Sequence, residues 1–178
     1  VGRNMASLTD CLVIGESIPA GTTTALAVLR AFDYDAKVSS SIPTNPTKLK
    51  NEIVDSALKR IDSDHPYSIL AKVGDPMIAF VAGMLSSASV VSKVMLAGGT
   101  QMTAVLAFAS KIGFNEKNTA IGTTSYITND QNANFANLVE QIADIPAISV
   151  NPGLNNSKYS GLKAFSEGFA KEGVGAGG

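Results

Sequence analysis

Residues 11–32 read CLVIGESIPAGTTTALAVLRAF. The first five positions form a short, continuously apolar run that closes on glycine. The last eleven carry apolar residues at helical spacing, and a turn-rich GESIPAG lies between the two. A strand that ends on glycine and hands over to a helix is the first half of a βαβ unit. The same succession recurs along the chain. Strand candidates are 11–15 (CLVIG), 36–40 (AKVSS), 93–98 (KVMLAG), 119–124 (TAIGTT) and 146–150 (PAISV). Helix candidates are 22–32, 46–62, 99–112, 132–143 and 158–170, with an extra helix at 74–89 that is apolar on nearly every face. Strands alternating with helices predict an α/β fold: a mostly parallel, doubly wound, Rossmann-like sheet with helices on both faces.

In sheets of this kind, ligands bind in the crevice beyond the carboxyl ends of the strands. The residues that follow the strand candidates are therefore the ones to read. They are Gly15-Glu16-Ser17 with Gly21-Thr22-Thr23-Thr24, then Ser39-Ser40-Ser41, Gly98-Gly99-Thr100, Thr123-Thr124-Ser125 and Asn151-Pro152-Gly153. Glycines and small hydroxyl residues offer backbone N–H and side-chain O–H donors with little bulk, which suits a phosphate or a ribose. Taken singly, each loop reads equally well as a turn and a helix N-cap. Five of them on one edge point to an anion site.

Two common phosphate motifs fail here. A nucleotide triphosphatase loop needs G-x-x-x-x-G-K-[ST]. Five residues separate Gly15 from Gly21, and Thr22 stands where the lysine belongs. No G-x-G-x-x-G follows a strand, and the glycine-dense GVGAGG at 173–178 follows a helix instead.

Composition narrows the function classes. Of 178 residues, 45% are hydrophobic and 16% charged, a globular balance rather than a disordered one. A net charge of −1 gives no electrostatic footprint for nucleic acid. Cys11 and His65 are the only residues of their types, so neither an internal disulfide nor a zinc site is available. No metal and no cofactor are implied. Cys11, inside an apolar run, reads as a buried thiol, and His65, in DSDHPYS, as a surface turn residue. No apolar stretch approaches the ~20 residues of a membrane span. The expectation is a soluble, cytoplasmic protein without membrane or nucleic-acid partners. Residues 1–178 read as a single α/β domain. A start at Val1 and an end in glycines suggest the core of a longer polypeptide.

Several segments together resemble the nicotinate-nucleotide–dimethylbenzimidazole phosphoribosyltransferases, in particular their archaeal-type relatives. GESIPAGTTTA (15–25) is similar to the family's G-E-x-G-I-G-N-T-T, with one inserted residue and Thr22-Thr23 matching N-T. VGDPMIAFVAGMLSSA (73–88) resembles V-G-G-x-E-I-A-A-M-A-G-A, and VMLAGGTQMTAVLAFA (94–109) resembles V-V-L-D-G-F…A-A-L-A-A. KEGVGAGG (171–178) resembles G-E-G-[ST]-G-A-A. The segments run in the family's order over most of the chain.

The resemblance implies phosphoribosyl transfer from nicotinate mononucleotide to a benzimidazole-type base, giving the α-ribazole phosphate precursor of the lower ligand of cobalamin. It implies a pentosyltransferase and a homodimer, without metal. It places the catalytic base on Glu172, with Gly173 letting the backbone approach a flat base. It places substrate contacts on Glu16, Gly21, Thr22, Thr23, Lys50 and Gly98, and a phosphate-binding serine on Ser125 or Ser149. The family's aspartate before Gly98 is replaced by Ala97. The family's smaller, helical domain draws on segments outside 1–178, so this chain alone is expected to fold but to turn over little. Two other readings stay open: a non-catalytic nucleotide- or phosphate-binding module, or a transferase acting on a different base. A purely structural domain is the blandest reading.

Overall fold

A computed structural model of the chain describes residues 1–18 and 20–173. Strands β1 (Cys11–Gly15), β2 (Lys93–Ala97), β3 (Thr119–Thr124) and β4 (Ala147–Val150) form one sheet in the order β1-β2-β3-β4. Every neighbouring pair is parallel, with Val13 opposite Met95, Leu96 opposite Ile121 and Gly122 opposite Ile148. Around the sheet run α1 (Gly2–Ala6), α2 (Gly21–Ala31), α3 (Thr47–Leu58), α4 (Pro66–Val73), α5 (Pro76–Ala88), α6 (Thr100–Ile112), α7 (Ser125–Thr128), α8 (Phe135–Ile142) and α9 (Ser160–Ser166). The fold is α/β with a parallel, Rossmann-like sheet, as the alternation of strands and helices implies.

Each crossover advances one place in the same direction. Right-handed connections of that kind carry their helices to one face. Burial agrees. Leu12, Ile14, Val94, Leu96 and Ile121 point under the helices and are buried. The opposite face is the less covered one among the described residues: Val13 is 58% exposed, and Ile148 and Val150 are exposed as well. Cys11 shares that face and is an exposed thiol rather than a buried one.

Helix α6 is the centre of the packing. Ten of its thirteen residues are buried, because α2, α4, α5 and α8 all pack on it. Residue 113 ends it: Gly113 adopts φ +91°, a left-handed conformation that glycine takes at little cost. Helix α5 starts at Pro76, with Asp75 Oδ1 accepting the Ile78 N–H at 2.9 Å. Its Ile78, Ala82, Leu85 and Ala88 are buried, while Phe80 remains 55% exposed.

Residues 36–40 depart from the strand expectation. They belong to no strand. Their backbone groups go to side chains instead: Lys37 N–H donates to Asn134 Oδ1 at 2.8 Å, Ser39 N–H to Thr100 Oγ1 at 3.1 Å, and Val38 C=O accepts from Asn45 Nδ2 at 2.9 Å. A segment whose backbone is engaged this way by side chains does not need a neighbouring strand. Helix α4 was not expected. Pro66 occupies its first turn, and Ile69, Leu70 and Val73 are its buried face. His65 is exposed at its N-cap and stacks on Tyr67 at 5.7 Å.

Candidate active site at the carboxyl ends of the strands

The loop after β1 delivers Glu16, and the turn after β2 delivers Gly98, Gly99 and the first residues of α6. Both meet Glu172, near the end of the described chain. Thr100 Oγ1 donates to Glu172 Oε1 at 2.6 Å, and Gln101 N–H donates to Glu172 Oε2 at 3.1 Å. The carboxylate thus sits on the N-terminus of α6, where unpaired N–H groups and the helix dipole favour an anion. Gly99 makes room for it, since a Cβ there would lie 2.3 Å from Glu172 Oε2. Gln101 also reaches the second acid: its Nε2 donates to Glu16 Oε1 at 2.8 Å. One residue therefore bridges the two carboxylates, by backbone to Glu172 and by side chain to Glu16.

Burial dominates the electrostatics. Glu172 is 1% exposed and Glu16 is 7% exposed. Burial pushes the Glu16 carboxyl up to about 7; the charge of Glu172 adds to this, the Ile18 N–H opposes it, and Asp75 adds a further push. Burial also raises Glu172, against the pull of the Thr100 and Gln101 hydrogen bonds and the Lys50 charge. Lys50, in α3, is equally enclosed and donates from Nζ to Ser39 C=O at 2.7 Å. Burial lowers its ammonium, while the charges of Glu172 and Asp130 hold it up. Neither Lys50 nor Glu172 is therefore a solvated surface charge.

A second ion pair flanks this cluster. Lys171 Nζ meets Asp130 Oδ2 at 2.6 Å, with both side chains nearly enclosed. Ser39 Oγ donates to the same carboxylate at 2.6 Å. Burial works against ionised Asp130, but the Lys171 and Ser39 hydrogen bonds and the Asn132 N–H bring it down to about 2. The pair fixes Lys171, and hence its neighbour Glu172, against the loop after β3 and α7. An open cleft of about 480 Å³ runs past Ser125, Asp130, Phe165 and Lys171. A second cavity of about 300 Å³ lies beside Lys50, Arg30, Lys37 and Asn132.

The remaining expected site residues fall as follows. Gly21 opens α2 and is packed so closely that a Cβ would fall 1.5 Å from Gln101 Oε1. Thr22 is buried and Thr23 half-buried beside it. Thr24 Oγ1 donates to Asp75, tying α2 to the start of α5. Gly98 N–H donates to Gly122 C=O at 2.9 Å. Ser125 opens α7 on the rim of the larger cleft. Ser149 lies on β4, exposed, with its hydroxyl 3.1 Å from Thr128 Oγ1. Gly173 is exposed, and a Cβ there would meet open space. The rest of the KEGVGAGG motif, residues 174–178, lies outside the described residues.

Sequence reasoning brought out Glu16, Lys50 and Glu172, which the fold does bring together. It missed Gln101, Asp130 and Lys171. Gln101 carried a readable signal, since it follows the Gly98-Gly99-Thr100 turn by one residue. Thr123 Oγ1, Thr124 Oγ1 and Gln101 Oε1 are buried at this edge with no hydrogen-bond partner among the described residues.

Residues 1–130 match the family DBI_PRT, described as phosphoribosyltransferase. The chain belongs to this phosphoribosyltransferase family. Among curated proteins it is similar to the UPF0284 protein of Archaeoglobus fulgidus, 46% identical over 178 residues, covering 100% of this chain and 50% of that one. The UPF0284 protein of Methanothermobacter thermautotrophicus is 46% identical over 188 residues, and that of Sulfolobus acidocaldarius 47% over 181, each covering 100% of this chain and 52% of the relative. The chain spans about half the length of the curated relatives it matches. The family match takes in Glu16, Gly21, Lys50, Gly98 and Ser125, and the UPF0284 matches extend over Ser149 and Glu172 as well. No helix among the described residues is long and apolar enough to cross a membrane.

Proposed function

We propose that this phosphoribosyltransferase moves phosphoribose from nicotinate mononucleotide to a benzimidazole-type base, yielding the α-ribazole phosphate precursor of the cobalamin lower ligand, with Glu172 as the general base. The observation that carries the reading is the buried carboxylate of Glu172 on the α6 N-terminus, joined through Gln101 to Glu16. One nitrogen of the acceptor attacks the anomeric carbon as the bond to nicotinate breaks. The acceptor ring becomes cationic, and the proton on its other nitrogen becomes acidic. A carboxylate whose proton affinity burial has raised accepts that proton more readily than an ordinary one. Nicotinate leaves from a positively charged pyridinium and needs no protonation.

Lys50 and the α2 start at Gly21-Thr22 take the phosphate in this reading, Lys50 as the cation and the helix terminus as a set of N–H donors. The family resemblance adds a homodimer, which sedimentation tests. Ala97 in place of the family's aspartate favours a second reading within the same class, a transferase acting on a different base.

The test incubates the full-length protein with nicotinate mononucleotide and a panel of bases, read by mass spectrometry. Nicotinate release with an α-ribotide product from a benzimidazole supports the assignment. Nicotinate mononucleotide that raises Tm without any product from any base leaves a binding module and removes the catalytic reading.

A further inference from the structure

The face of the sheet turned away from α6 is the largest feature that the proposed chemistry leaves unused. Across it run two rows set by the parallel register: Val13, Met95 and Ala120, then Gly15, Ala97, Gly122 and Ile148. Val13 is 58% exposed, Ile148 43% and Val150 42%. Lys93, at the amino end of β2, is the one ionisable side chain among these strand residues other than Cys11. A parallel sheet is ordinarily buried on both faces, since each backbone ladder and its apolar side chains need cover from water. Here one face has that cover; on the other, among the described residues, Ala97 and Thr124 are buried and Met95, Ala120 and Gly122 half-buried, while Val13 at one edge and Ile148 and Val150 at the other stay exposed. An apolar sheet face left partly open in this way marks a contact surface.

We infer that this face is the docking surface for the polypeptide that the UPF0284 relatives carry outside the matched half. Two observations choose that occupant. The A. fulgidus relative matches this chain end to end, yet the match covers 50% of it, so it holds about as many residues again. Glycine and alanine occupy the middle of the trough, at 15, 97, 120 and 122, with larger apolar residues on either side. Once the Met95 thioether, which lies 3.2 Å from where a Cβ at Gly122 would stand, turns aside, that relief admits an apolar helix close to the strands. The inference is independent of the substrate assignment, since it concerns the back of the sheet and not the strand ends.

Cys11 reports on this face directly, because it is the single cysteine of the chain and its thiol is exposed there. The test compares the rate of maleimide labelling of Cys11 in the 178-residue chain with the rate in a chimera joined to the unmatched half of the A. fulgidus relative. Labelling should be at least about 10-fold slower in the chimera, because thiol reactivity follows exposure. A control thiol in the Cys11→Ser/Lys59→Cys variant, at the exposed C-cap of α3, should react at one rate in both. Equal Cys11 rates in the two proteins overturn the inference. So does protection of Cys11 in the 178-residue chain that rises with concentration alongside a dimer mass in sedimentation, since a second copy is then the occupant. A second measurement uses the natural full-length relative. Aspartate at its position aligned with Val13 should lower Tm by at least about 5 °C, as burying an unpaired charge does. Val13→Asp in the 178-residue chain should shift Tm by under about 2 °C, in the range of a surface change. An unchanged Tm in the full-length relative also overturns the inference.

Discussion

Gly99→Ala is the sharpest probe of how the site is held. A methyl group there would stand 2.3 Å from Glu172 Oε2, 2.6 Å from its carboxyl carbon and 2.9 Å from Oε1. The carboxylate is fully enclosed and must leave its seat on α6. It then gives up the Thr100 hydroxyl at 2.6 Å and the Gln101 N–H at 3.1 Å. Hydrogen bonds to a charged acceptor contribute about 1.5–3 kcal/mol each, and partial replacement by water returns some of that. A net loss of about 3 kcal/mol is expected, which corresponds to a Tm lower by roughly 6–12 °C for a domain of this size. The assay is a double-mutant cycle by urea and thermal unfolding of wild type, Gly99→Ala, Glu172→Ala and the double variant. Without the carboxylate, the new methyl has space to occupy, and Gly99→Ala should cost under about 1 kcal/mol there. The coupling between the sites should therefore be about 2 kcal/mol or more. Equal costs of Gly99→Ala in both backgrounds would refute the claim that this glycine exists to admit Glu172.

Four further outcomes follow from the same geometry. Glu172→Gln should bind both substrates nearly normally and lose about 10²-fold or more in turnover, measured where chemistry limits the rate. Lys50→Ala should weaken nicotinate mononucleotide binding about 10-fold, by titration calorimetry, as loss of a charge-assisted contact does. Glu16 holds its proton up to about pH 7 in the native state and releases it near 4.5 when unfolded. Stability should thus fall as pH rises from about 4.5 to 7 and level off above, and Glu16→Gln should make that decline shallower in Tm–pH profiles. Asp130→Asn should destabilise by about 3 kcal/mol or more in urea unfolding, since it strands the enclosed Lys171 ammonium.

Much of the fold was legible in the residues because buried parallel strands leave a direct signature. CLVIG, KVMLAG, TAIGTT and PAISV are short apolar runs that stop on small residues, and all four are strands. AKVSS carries the same signature and is not one. What distinguishes it is the set of partners for its backbone: Asn134, Thr100 and Asn45 lie 5 or more positions away and take the place of a neighbouring strand. Local pattern does not carry such long-range pairing. The same limit applies to the site. Glu16 and Glu172 stood out because each sits in a glycine-flanked motif. Asp130 sits in an ordinary polar stretch and Lys171 beside the motif glutamate, and only the folded chain shows that they neutralise each other. Helix α4 was lost to its first residue, for a proline after Asp64-His65 reads as a turn and equally as the first turn of a helix.

The position of α6 has a consequence for motion. A helix with ten of thirteen residues buried, touching α2, α4, α5 and α8, cannot fray away from its neighbours without opening the whole core. Its amides should exchange with solvent only through global unfolding, the slowest class in the molecule. The Gln101 N–H that seats Glu172 belongs to that helix. One wall of the candidate site is therefore as rigid as the protein itself. The adaptability that catalysis or binding demands must come from the opposite wall, the loops around Glu16, Ser39 and Lys171 that close over it.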